Sequence, residues 1–118
     1  MANPNIVSVA TILGGNAGWN LSNTLTTTLL TVTAEYILKI NRIVVANVDG
    51  TSAADVDLFV DGMGSGTTGI TTTGANATVY LAKTISVPAD SSLVISDTPI
   101  YLMEGDILKG GASATGDL

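Results

Sequence analysis

Apolar and polar residues alternate along this chain with a period of two, and no segment sustains the period of about 3.6 that a helix needs. Residues 5–13 predict a first strand, ended by Gly14-Gly15-Asn16. In residues 24–33, Leu25 and Leu29 share one parity and Leu30 and Val32 the other, so the pattern slips and predicts a bulge or two short strands. Residues 36–47 are the most apolar stretch. Tyr36, Leu38, Ile40, Val44 and Ala46 fall on one parity and Ile37, Ile43 and Val45 on the other, which predicts a central strand covered on both sides for part of its length and interrupted at Asn41-Arg42.

Val56, Leu58 and Val60 then alternate with Asp55, Asp57, Phe59 and Asp61, the signature of a strand with one wet face. A threonine- and glycine-rich loop over residues 62–74 leads to residues 77–87. There Val79, Leu81, Ile85 and Val87 face one way, with Lys83 as the odd member, and Val79, Leu81 and Ile85 are expected to meet Val56, Leu58 and Val60 in the core. Pro88-Ala89-Asp90 makes a turn, residues 92–96 and 100–103 are short strands, and Glu104-Gly105-Asp106 stops the second of these before Ile107 and Leu108. About seven or eight short strands at such spacing predict an all-β protein, an antiparallel, jelly-roll-like β-sandwich. One domain overall is expected, with residues 1–35 as an amino-terminal strand or arm and 36–118 as the sandwich core. The apolar pair Ile107-Leu108 is followed by KGGASATGDL from Lys109, where another strand is expected, supplied by further residues or by a neighbour.

Composition sharpens this picture. A chain of 118 residues buries about two-thirds of its unfolded surface, enough for a core. It is 46% hydrophobic but only 12% charged, about half the usual charged share, which predicts a surface partly covered by other subunits. Net charge is −6, and Lys39, Arg42, Lys83 and Lys109 are the only cations, so the basic patch that neutralises phosphates is missing and direct nucleic-acid binding is not expected. Without cysteine or histidine there is no disulfide framework, no thiolate and no imidazole base. The amino end lacks a basic region and is interrupted by Pro4, unlike a signal peptide, and no apolar run approaches the about 20 residues of a membrane span.

Candidate chemistry is sparse. Gly64-Ser65-Gly66-Thr67-Thr68-Gly69 fits G-x-G-x-x-G, but no helix follows to meet a pyrophosphate, and a loop explains it better. Asp55, Asp57 and Asp61 are hard oxygen ligands, yet Phe59 stands where an EF-hand needs its third ligand, and alternating acids are usually a solvated strand face. Serines lack a base, and no Ser-x-x-Lys pattern supplies one, so an enzyme and a cofactor are not expected. Thr26-Thr27-Thr28 and Thr71-Thr72-Thr73 do not repeat at the interval an ice-binding face requires. Trp19 with Tyr36, Tyr80 and Tyr101 are the residues from which a sugar-stacking platform would be built, although a lone tryptophan is more often an anchor or interface residue.

Three stretches, ILKINRIVVANVDGTSAADVDLFVD from Ile37, YLAKTISVPADSSLVI from Tyr80 and TPIYLMEGDILKGGASATGDL from Thr98, resemble small structural proteins of tailed bacteriophages, notably those of marine bacteria. The likeness covers residues 36–118 and rests on the phrases Ala46-Asn47-Val48-Asp49-Gly50-Thr51, Leu81-Ala82-Lys83 leading into Val87-Pro88-Ala89, and Leu102-x-x-Gly105-Asp106-x-Leu108. It implies a virion subunit that decorates or cements the outer capsid surface, in contact with the major capsid protein and with copies of itself, as a trimer. Within that reading the expected interface residues are Ile6, Val7, Val9 and Trp19 in an amino-terminal arm and Met63 and Ile70 in the loop. A neck, tail or fibre-base protein is the alternative in the same setting. A carbohydrate-binding attachment module is the alternative of another class.

Overall fold

Branched and hydroxyl side chains favour extended backbone, and Gly, Pro, Asn and Asp punctuate it. The computed structural model describes residues 13–63 and 77–118, and over these the chain forms eight strands and no helix. They are β1 (Thr27–Thr31), β2 (Leu38–Ile40), β3 (Ile43–Ala46), β4 (Ala54–Met63), β5 (Ala77–Val87), β6 (Ser92–Ser96), β7 (Ile100–Leu102) and β8 (Ile107–Ala112). Every pairing is antiparallel, and the pairs nest: β1 with β8, β2 with β7, β3 with β6, β4 with β5. This is a ribbon rolled upon itself, as in jelly rolls. An added pairing of β4 with β8 merges the outermost and innermost pairs of the nest into one sheet of order β1-β8-β4-β5.

The second layer is a two-stranded ribbon. β2 and β3 run in succession along one side, and β7 and β6 along the other. Leu38 and Ile40 in β2, Ile43 and Val45 in β3 and their partners Leu102, Ile100 and Leu93 pack with Val56, Leu58, Val60, Ala82 and Leu108 of the four-stranded sheet into one hydrophobic core. The all-β antiparallel, sandwich-like fold expected from the alternation is therefore present.

Several details depart from expectation. Residues 36–47 are not one central strand. The break at Asn41-Arg42 shifts the alternation, so even-numbered Leu38 and Ile40 and odd-numbered Ile43 and Val45 all turn inward, and the apparent two-sided burial comes from this kink. Nor is the acidic face of β4 wet throughout: Asp57 is 9% and Phe59 6% exposed. Phe59 meets the Tyr80 ring with centroids 5.1 Å apart, and the backbone N–H of Thr84 donates to Asp57 Oδ1 at 2.6 Å.

Three bulges in the β4–β5 pairing account for the rest. Extra residues at Leu81 and at Lys83-Thr84 carry Ala82, not Leu81, opposite Leu58, while Val79 and Ile85 lie on the exposed outer strand. The bulge expected near Leu29 is present, between Thr28 and Leu30 of β1. Leu13, the last residue of the expected first strand, is in no strand, and the rest of that segment lies outside the described residues. The strand beginning at Ile107 lies inside the larger sheet, between β1 and β4. The residues after it turn back on the body, where Leu21 N–H donates to the Leu118 carbonyl at 2.7 Å and Val48 N–H to that of Asp117 at 2.8 Å.

Candidate assembly surface

The turn after β3 fixes one end of the ribbon. Asn47 is buried, and its amide donates to the carbonyls of Ser52 and Val87, each at 2.9 Å, while its Oδ1 accepts from Asp49 N–H at 2.9 Å. Its own N–H donates to Ser91 at 2.8 Å. Asp49 in turn accepts from the N–H and hydroxyl of Thr51, the hydroxyl foremost holding its carboxyl below the ordinary 3.8. The phrase Asn47 to Thr51 thus bonds its own backbone and, through Asn47, clamps the ends of β3, β5 and β6.

A second corner joins the two layers at the other end. Glu104 and Asp106 are buried. Glu104 Oε2 accepts from Glu35 N–H at 2.7 Å, and Asp106 Oδ2 from Met103 N–H at 3.0 Å. Gly105 supplies the positive φ of 86° that this turn requires, and its N–H reaches the Val32 carbonyl. The bonds of both corners hold strands together, although Glu104 Oε1 is buried without a hydrogen-bond partner among the described residues.

Between the corners the ribbon presents two apolar surfaces that nothing in the described residues covers. Its outward face carries the cross-strand pair Val44 and Val94, 48% and 43% exposed, with Tyr101 paired to Lys39 further along. The other surface is a groove of about 890 Å³ alongside β2 and β3, with a floor of Leu29, Leu30, Leu58 and Leu108 and a mouth lined by residues 13–21.

Trp19 lines this groove and is exposed, but no tyrosine lines it with Trp19. Tyr80 instead lies under the Lys83 ammonium, 4.9 Å from the ring centroid, and beside Phe59, so the aromatic residues do not converge on a stacking platform. Met63 ends β4, and Ile6, Val7, Val9 and Ile70 lie outside the described residues, as do the glycine motif and the second threonine run.

Two of the three aspartates of β4 have carboxylates held by neighbours, Asp57 by the Thr84 N–H and Asp61 by side chains. Asp61 pairs with Lys109 at 2.9 Å and accepts from the Thr78 hydroxyl, and the bond to Lys109 foremost pulls its carboxyl below 3.8. Among the described residues no three acids gather where a metal ion would sit. Among the exposed residues that sequence reasoning missed are Val44, Val48 and Val94. Their signal was the parity shift at Asn41-Arg42, which turns Val44 outward. Compared with protein-family models, curated proteins and solved structures, the chain finds no match.

Proposed function

We propose that this chain is a structural subunit of a phage virion, a decoration or cement protein seated on the outer capsid surface against the major capsid protein and copies of itself. The observation that carries the reading is the uncovered apolar ribbon: Val44, Val94 and Tyr101 outward and the leucine-floored groove beside it. A lone subunit in water gains nothing from such surfaces, whereas a shell of many copies buries them and sums small contact energies into resistance to internal pressure. The low charge supports the same reading, and the choice of a phage rests on the likeness of residues 36–118 to phage structural proteins. No chemistry is asked of the chain. Its mechanism is mechanical, a rigid two-layer body that bridges its neighbours.

Quantitative mass spectrometry of purified particles tests this by counting the chain against the major capsid protein. About one copy per capsid subunit, or one trimer for every few, supports a cement role. About a dozen copies or fewer per particle moves the protein to the neck or tail, and absence from the particle ends the virion reading.

A further inference from the structure

We propose that the groove beside the free edge of β2 and β3 receives a strand donated by residues 5–12 of a second copy of this chain. This deepens the assembly reading and rests on it for the presence of neighbouring copies. β2 pairs only with β7 and β3 only with β6, so along residues 38–46 the side away from β7 and β6 has no strand partner among the described residues. Residues of both parities, Leu38 with Lys39 and Ile43 with Val44, line the groove, which places it along the edge of the strands and not over one face. An open edge above an apolar floor is the arrangement that takes up an added strand: main-chain hydrogen bonds hold it, and alternate side chains enter the floor.

The occupant is named by sequence and by where it joins the body. Asn5 to Ile12 reads NIVSVATI, rich in branched residues, free of charge and of proline, with Val7 and Val9 on one parity and the small Ser8 and Ala10 on the other. Extended, it spans about 26 Å, close to the about 30 Å of the β2–β3 edge. It enters the described chain at Leu13, which lines the groove and is 73% exposed. From Leu13 to Asn20 no hydrogen bond ties the chain to the described residues, the first being that of Leu21 to Leu118. Eight untethered residues, three of them glycine, give the segment a reach of about 26 Å, enough to leave its own subunit.

The chain contains no cysteine, so single cysteines report the contact in the full-length protein. Val9→Cys and Asn41→Cys chains are mixed under mild oxidation, with Val9→Cys and Ser86→Cys as the control, since Ser86 is exposed on β5 away from the groove. Neighbouring strands bring Cα atoms within disulfide range, so we expect linked pairs of chains at about tenfold or more the control yield. Equal yields overturn the groove as the seat of the segment. Internal closure of a Val9→Cys/Asn41→Cys chain, with no linked pairs from the mixture, overturns the second copy as donor in favour of the chain's own segment. Neither result depends on particle composition, so the strand proposal and the virion reading fail separately.

Discussion

Asn47 is the residue on which most local order depends. Its amide satisfies carbonyls from two separate segments, and its replacement leaves both of them, and the Asp49 N–H, without partners near the core. A buried polar group stripped of its partner costs about 1–3 kcal/mol, so Asn47→Ala is expected to lower the unfolding free energy by about 2–4 kcal/mol, read as a fall in the urea midpoint at unchanged m-value. The exposed carboxylates make a different prediction. Asp49 and Asp61 both titrate below 3.8 in the folded chain, because the Thr51 hydroxyl and the Lys109 ammonium hold their charged forms. A carboxylate with a lowered folded pKa adds stability above its unfolded pKa and loses it as pH falls through the folded value, so the contribution of this pair is constant at neutral pH and disappears below about pH 4. In Lys109→Met, carboxyl-detected NMR titration is expected to show Asp61 moving up toward 3.8 while Asp49 stays in place. Movement of both, or of neither, would contradict the separate causes assigned to them.

At the scale of elements, the β4–β5 hairpin is shaped by its bulges. Thr84 has φ of 52°, a left-handed conformation that branched side chains rarely adopt, and it is held there while its N–H bonds Asp57. In an ordinary strand alanine is the better residue and glycine the worse. Here the order is expected to reverse, with Thr84→Gly more stable than Thr84→Ala by about 1 kcal/mol in thermal or urea unfolding, since only glycine is free of the Cβ clash.

The same bulges mark the limit of what could be read from the sequence. Strand positions, the turn at Asn47 to Thr51, the stop at Gly105 and the irregularity near Leu29 follow from alternation and turn chemistry, which are local. Which residue of β5 faces Leu58 does not, because an inserted residue flips every side chain beyond it, and insertion is decided by pairing across the hairpin. The candidate assembly surface was legible only in part for a related reason: Trp19 stands out by its type, whereas Val44 looks like a core residue until the kink at Asn41-Arg42 turns it outward, and Val94 faces out as its cross-strand partner.

The molecule as a whole is lopsided: one layer is a sheet four strands wide, and the other is a ribbon only two strands wide, built of β2-β7 and β3-β6, that leaves a groove at its side and an apolar pair on its back. Val44 and Val94 face away from the core, so charging one of them adds no buried charge to the isolated subunit. Val44→Glu is therefore expected to fold with a stability within about 0.5 kcal/mol of the parent, as is usual for exposed positions. In an assembly the same glutamate must be desolvated against an apolar partner without a cation to meet it, a cost of several kcal/mol at every contact where this face is covered. We expect the variant to remain folded by circular dichroism and urea titration, yet to lose self-association in sedimentation velocity and to be absent from particles that incorporate the parent chain. If Val44→Glu associates and incorporates as the parent does, the back of the ribbon faces water in the assembly, and so does the rim of the groove that Val44 also borders. Loss of folding would instead mean that Val44 is part of the core, against its exposure on the strand's outer face.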